Sequence, residues 1–484
     1  MDIATVRTSP QFPPEIIDLF VLNLAPKKYD KVRWYDEKRD LAACGLVSRA
    51  FYLPSRRYLF STVTIYVDIF PNGKIRLPTE TLREILVANP LLQNQIYHLF
   101  VAYPVQFSYP GTPWDLTAPE MREIYAAAKN NAENENKCLS HIVRLVPALR
   151  KLTICSTEYD LRDPAYFNPD MASILYELKG LCPHLHRLGI IAVHDVPLSY
   201  ILQWTNITEL RLSDVVLVHN SNSQSDSGSE SESDADADSM DLSQSTITSF
   251  PFIERLFMRG TNYLPAFSSL HFGQLRYLRL SFPRGSEIVP WSVDQKWDLL
   301  RQNSLVLTHL HLSGAFCTSY WTHMLSEVSV PALKILEINE KVFMEALGLV
   351  LRISGFLCPT DASSVFSVQH ILITSQSYVI ADILDYEQGW KQLDAAWTSA
   401  QYSSLAKVDV RLTFDLRSGI SETLTDDEIL LRIENCASRL LPLVSASLTS
   451  RVIDLKFFVK VHSSKVDLTW DNRAGTSIID RHED

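Results

Sequence analysis

The chain opens on a segment that is apolar almost all round. Between Phe12 and Leu24, the side chains of Ile16, Ile17, Phe20 and Leu24 fall on one helical face. Leu19, Val21 and Leu22 carry the apolar surface further, leaving Asp18 and Asn23 as the polar positions. Pro13 and Pro14 suit an extended approach and then a first helical turn, and Glu15 complements the positive helix end. A second helix is predicted from about Asp40 to Val47. A third is predicted to Phe60, with Pro54 in its first turn and Arg56 and Arg57 on its wet side. Three short helices enclose too little volume to cover this surface alone, so the pattern predicts a partner.

A different pattern follows, in which positions i, i+3 and i+5 are aliphatic. It reads Leu149, Leu152, Ile154; Leu185, Leu188, Ile190; Ile207, Leu210, Leu212; and Ile253, Leu256, Met258. It continues as Leu275, Leu278, Leu280; Leu307, Leu310, Leu312; Leu333, Leu336, Ile338; and Val368, Ile371, Ile373. Weaker copies are Phe60, Val63, Ile65; Ile96, Leu99, Val101; Leu405, Val408, Val410; and Val452, Leu455, Phe457. Residues two apart share a face of a strand, so each copy predicts a short strand with two inward side chains. Leu185 to Ile207 and Ile253 to Leu275 are each 22 residues apart, a period of the leucine-rich kind. Between the strands, Thr117-Ala118-Pro119-Glu120, Ser292-Val293-Asp294-Gln295 and Thr425-Asp426-Asp427-Glu428 are capping-box starts of helices. Trp390, Leu393, Ala396 and Trp397 form an apolar stripe suited to packing a helix on the sheet.

One segment fits neither pattern. Residues 219–246 hold seven acids and no Lys or Arg, and their Ser/Asp/Glu run predicts a disordered loop within the repeats. Removing them takes the net charge from −11 to −4, so the acidity is mainly local. Ser227, Ser229, Ser231 and Ser233 each have an acid three residues on, which makes them phosphorylation candidates for acidophilic kinases. Residues 466–484 read as a flexible C-terminal tail. The seven cysteines are widely spaced with no Cys-x-x-Cys pair, which predicts reduced thiols and a cytoplasmic or nuclear protein. No stretch has the length of a membrane span, and Ala346 to Phe356 is interrupted by Arg352.

The strand pattern also fixes which residues face away from the core. Arg187, Glu209, Arg211, Arg255, Phe257, Arg259, Tyr277, Arg279, His309 and His311 alternate with the inward aliphatics and must stand on the open, concave side. This strip is basic with two aromatics in an acidic chain. Arginine forks and exposed rings are anchors of protein interfaces, so Arg187, Arg211, Arg255, Phe257, Arg259, Tyr277, Arg279, His309 and His311 are candidate target-binding residues for an acidic or phosphorylated segment. No phosphate loop, dinucleotide turn, His-Glu-x-x-His or Gly-x-Ser-x-Gly motif occurs, so no catalytic residue, cofactor or metal is assigned. His184 with His186, and His309 with His311, share a strand face but lack a third metal ligand in the sequence pattern. The overall charge disfavours nucleic acid.

Two family resemblances follow from these residues. Phe12-Pro13-Pro14-Glu15-Ile16-Ile17, the hydrophobics from Phe20 to Leu24 and Leu46-Val47-Ser48-Arg49-Ala50-Phe51 resemble an F-box over about the first fifty residues. Phe12 stands where the family has leucine and Phe51 where it has tryptophan, and Ala25 to Arg39 is longer than the usual connection. The repeats resemble degenerate leucine-rich repeats, without the Asn or Cys that normally follows the strand. The resemblance implies an α/β chain: a three-helix F-box over residues 10–60, then an irregular leucine-rich-repeat solenoid over 60–460. It implies that Phe12, Pro13, Glu15, Ile16, Ile17, Phe20, Leu24, Leu41, Cys44, Val47 and Phe51 form or support a face for a Skp-type adaptor. Through it the chain would join a cullin–RING ligase as a non-catalytic receptor that selects a protein for ubiquitination. The alternative is a leucine-rich-repeat scaffold that binds proteins without a cullin.

Overall fold

The computed structural model describes residues 13, 15–17, 19, 21, 31–47, 49–66, 78–103, 134, 137–156, 165–166, 178, 180–194, 196–197, 201, 204–218, 248–249, 252–260, 270–282, 290–314, 330–340, 367–377, 391, 394–395, 397–415, 453–462, 466–471 and 475–481. The chain divides into two compact units, Met1–His194 and Asp195–Asp484.

In the first unit, Glu15 to Ile17, Leu19 and Val21 are helical, and the Ile16 and Ile17 amides donate to Pro13 O at the start of that turn. Helix α1 spans Lys31–Val47 and α2 spans Arg49–Ser61. Both are longer than the sequence pattern implied. Much of the expected connection, from Lys31 onward, is helical because it contains no Gly or Pro to stop it. Pro54 sits inside α2 and not in its first turn; the helix continues through it although proline supplies no amide hydrogen there. Strand β1, Thr62–Tyr66, follows α2 without a linker. Lys38 of α1 donates to Thr62 O at 3.0 Å, and its burial lowers the ammonium pKa to about 8.

Strands β2, His98–Tyr103, β3, Lys151–Ser156, and β4, Arg187–Ile191, extend β1 into a parallel sheet. Val63, Leu99, Leu152 and Leu188 stand in one register, and Ile65, Val101, Ile154 and Ile190 in the next. Apart from Val63, which is half-buried, all are buried, as the alternation requires.

The second unit repeats this arrangement. Strands β5, Glu209–Ser213, β6, Arg255–Arg259, β7, Tyr277–Phe282, β8, His309–Gly314, β9, Ile335–Glu340, β10, His370–Ser377, β11, Lys407–Asp415, and β12, Asp454–His462, are parallel. Leu210, Leu256, Leu278, Leu310, Leu336, Ile371, Val408 and Leu455 form one buried ladder across them. Each fully buried aliphatic contributes roughly 1.5–3 kcal/mol, so the ladder is the main source of cohesion between repeats. Parallel strands each giving two inward aliphatics, joined by long returns, make a leucine-rich-repeat arrangement of the α/β class.

The polar devices that close the repeats come from unexpected residues. Helix α3 runs over Pro290–Asn303, starting at a proline two residues ahead of the expected cap Ser292. Its Lys296 is buried, and Nζ donates to Gly260 O at 2.6 Å and Ser281 O at 3.2 Å. The ammonium also lies 4.9 Å from the Phe282 ring centroid. Burial lowers its pKa to about 7, opposed by Asp214. Asn303 of the same helix accepts from Phe272 N at 3.2 Å and donates to Leu299 O at 2.8 Å. Together they pair backbone groups in a core whose strands lack the asparagine that normally follows in such repeats. Gly260 has φ +80, and a Cβ there would fall 1.6 Å from Asp214 Oδ1. Trp397 of the aromatic stripe is fully buried.

Residues 466–484 are not the expected tail. Val466–Asp471 forms strand β13, antiparallel to β12, and Gly475–Arg481 forms strand β14, antiparallel to β13. Val466, Leu468 and Trp470 alternate with polar residues, a strand pattern that lacks the i, i+3, i+5 spacing of the repeats. The acidic segment 219–246 with its four serines, the starts at Thr117 and Thr425, and Trp390, Leu393 and Ala396 lie outside the described residues.

Candidate protein-binding surfaces

The N-terminal helices have an inner and an outer face. Ile17, Val21, Leu41 and Cys44 are buried together, with Phe51, Tyr58 and Leu59 packed against them. Of the residues matched by resemblance to an adaptor face, Ile17, Leu41, Cys44 and Phe51 therefore lie on the inner side. Ile16 is 48% exposed and Val47 77%, and Pro13 and Glu15 are exposed as well. Beside them Leu19, Leu46, Tyr52 and Leu53 are also exposed, Leu46 by 86%. Helical spacing alone did not separate the two faces, because the segment is apolar all round. Phe12, Phe20 and Leu24 lie outside the described residues.

The second surface is the open side of the second unit, where the cross-strand register sets side chains in columns. One column runs Glu209, Arg255, Tyr277, His309, Ile335, His370, Lys407. The next runs Arg211, Phe257, Arg279, His311, Glu337, Leu372, Asp409. A third begins Ser213, Arg259, Ser281, Ser313, and the Ser281 and Ser313 hydroxyls are hydrogen-bonded. Eight of the nine candidate target-binding residues are thus brought onto three neighbouring columns. Arg187 belongs to the first unit, in register with Lys151 and His98. His98 is held well below the ordinary histidine range, at about 3, by burial and then by Lys151 and Arg187.

The rings stack across strands. Phe257 and Tyr277 have centroids 5.0 Å apart, and Tyr277 and His309 are 4.4 Å apart. The Arg255 guanidinium lies 5.0 Å from the Tyr277 centroid and 5.6 Å from that of Phe257, and 3.6 Å from Glu209. Contacts of this kind contribute about 0.5–1 kcal/mol each at exposed sites, and chiefly fix where the side chains point. Burial, and next Glu337, raise the pKa of Tyr277.

Two acids complete the surface. Glu337 lies 3.1 Å from His309 Nε2 and 2.6 Å from His311 Nδ1. His309 and then His311 hold its carboxyl well below the usual carboxylate range, against the effect of burial. Asp409 takes His370 at 3.1 Å and Lys407 at 2.8 Å. Burial raises its pKa, and the hydrogen bonds and charges of Lys407 and His370 together outweigh that and lower it. Apart from Glu209, the open face is therefore basic and aromatic over β5–β7, and it carries Glu337 and Asp409 on β9 and β11. Glu337 and Asp409 were legible by the same alternation, applied to the copies at Leu333 and Leu405 and not only to the central ones. Among the described residues, no group of His, Cys, Asp and Glu side chains could hold a metal ion, and no helix is long and apolar enough to cross a membrane.

No family model matches the chain, and no curated protein matches it. Among solved structures, a Bacteroides fragilis protein is similar over 50% of this chain and 64% of its own length, at 13% identity and a TM-score of 0.31. An internalin (InlF) of Listeria monocytogenes is similar over 71% of this chain and 84% of its own, at 11% identity and a TM-score of 0.23. The leucine-rich-repeat ectodomain of the receptor kinase GASSHO1/SCHENGEN3 from Arabidopsis thaliana is similar over 57% of this chain and 40% of its own, at 12% identity and a TM-score of 0.13. At these scores the fold rests on the strand register described above.

Proposed function

We propose that the chain is a non-catalytic substrate receptor of a Skp–cullin–F-box ubiquitin ligase. The observation that carries the reading is the outer face of the N-terminal helices. Their inner residues already pack on one another, yet Ile16, Leu19, Leu46, Val47, Tyr52 and Leu53 remain exposed on the same short segment. Apolar side chains concentrated in this way suit a docking partner. The position of that face, on the segment resembling an F-box, favours a Skp-type adaptor as the partner.

The open face of the repeats is the complementary half of the reading. Its stacked rings and arginines suit a protein target, and ubiquitin transfer would reside in the other ligase subunits. Co-purification of the full chain with a Skp-type adaptor and a cullin tests the proposal. Recovery of both supports it. Adaptor without cullin would place the chain outside the ligase, and recovery of neither would leave a repeat scaffold.

A further inference from the structure

Phe257 sits at the centre of four arginines. Arg255 and Arg259 precede and follow it on the open side of β6, and Arg211 and Arg279 are its direct neighbours on β5 and β7. The ring is half-buried, and Tyr277 stacks on it at 5.0 Å. Arg255 is engaged by Glu209, whereas the side chains of Arg259 and Arg279 meet no acid among the described residues. Like charges set on adjacent strands oppose folding, and nothing described in the repeats offsets those two. The acids that could do so, Glu337 and Asp409, are turned to histidines and a lysine further along the sheet.

We propose that Phe257 and its four arginines form a recognition site for an acidic peptide segment of a separate protein, in which an aromatic side chain is flanked by carboxylates. The apolar side chain would cover the Phe257 and Tyr277 rings while the carboxylates take the guanidinium forks, an arrangement Arg favours through bidentate geometry. The span fits a short segment. Neighbouring strands are about 4.8 Å apart and a strand advances about 3.3 Å per residue, so the four arginines frame about 10 by 13 Å, the reach of some four extended residues. The chain's own acidic segment, residues 219–246, has the charge, and Met240 and Leu242 beside Asp241, but no aromatic residue, which favours an occupant in trans. Glu337 would repel an acidic segment laid one repeat further along, and so sets the register. This inference rests on the substrate-receptor reading only for who presents the segment.

The test uses the full chain and a fluorescein-labelled Asp-Glu-Trp-Glu-Asp peptide, with a Trp→Ala version of equal charge. Fluorescence polarisation should show the Trp peptide bound about tenfold tighter, a difference that corresponds to about 1.4 kcal/mol. Arg259→Glu with Arg279→Glu should weaken both peptides at least about tenfold, and Phe257→Ala should remove the preference for Trp. Arg259→Gln, at an exposed position, should weaken binding by a smaller factor with an unchanged melting temperature, which separates recognition from folding. Equal binding of the two peptides, or indifference to Arg259→Glu with Arg279→Glu, overturns the proposal. So does tighter binding of a short single-stranded DNA, or peptide binding seen only after residues 221–245 are deleted, which would make the chain's own loop the occupant. Adaptor recovery with the Arg259→Glu and Arg279→Glu chain tests the ligase reading independently.

Discussion

His311 Nδ1 lies 2.6 Å from a carboxylate oxygen of Glu337, its direct neighbour on the adjoining strand. His309 approaches the other oxygen at 3.1 Å, so one carboxylate ties two side chains of β8 to β9. Because this partnership depresses the folded-state pKa of Glu337, the stability it contributes is present above the unfolded value near 4.5 and is lost as pH falls below it. Glu337→Gln should cost about 1–3 kcal/mol at neutral pH and flatten the loss of stability below pH 4.5. Urea unfolding across acidic pH measures both effects, and a variant as stable and as acid-sensitive as wild type would remove this role.

Lys296 predicts the opposite limb. Its folded pKa of about 7 lies below the ordinary 10.5, so the unfolded chain holds the proton more tightly between those values. Stability should therefore rise with pH across that window, by at most about 1.4 kcal/mol per pH unit from this group. Lys296→Met removes the rise and leaves the Gly260 and Ser281 carbonyls without their donor. The stability gap between wild type and Lys296→Met should widen from pH 7 to pH 10 in denaturant titrations; a constant gap would contradict the assignment.

His98 makes the first unit acid-sensitive. Its folded pKa of about 3 is below the ordinary 6.5, so stability is lost as pH falls through that interval. His98→Leu should reduce the acid lability of β2 and β3, read as amide exchange at Leu99 and Leu152, while leaving exchange in the second unit unchanged. Equal acid lability in the variant would show that another group is responsible.

Gly260→Ala should destabilise the second unit by more than about 2 kcal/mol, because the added Cβ meets Asp214 Oδ1 at 1.6 Å and φ is +80. Asp214, itself at φ +53, offers a rescue. Asp214→Gly removes the clash and relieves that backbone, so the double variant should melt above Gly260→Ala alone. A double variant no better than the single one would mean that the glycine's φ, and not the contact, sets the cost.

The parts of this architecture legible in the sequence are those carried by strict alternation. The inward ladder through Leu210, Leu256, Leu278 and Leu310 follows from period-two sterics, and the same rule places Arg255, Phe257 and Tyr277 on the open face. What sequence left open depends on contacts distant in the chain. The division of Ile16 from Ile17, one exposed and one buried, is decided by where α1 and α2 pack. Lys296 carries no sequence mark of burial; its partners Gly260 and Ser281 lie 36 and 15 residues away. Pro54 predicts a helix start, because proline favours that position, whereas α2 runs through it.

We propose that the outer helical face docks a Skp-type adaptor. The most direct test is recovery of purified adaptor by the full chain carrying Ile16→Asp with Leu46→Asp, both exposed positions, beside wild type. Wild type should bind adaptor, and the variant should lose about a hundredfold in affinity with an unchanged melting temperature. Adaptor bound equally by both chains, or by neither, would contradict it.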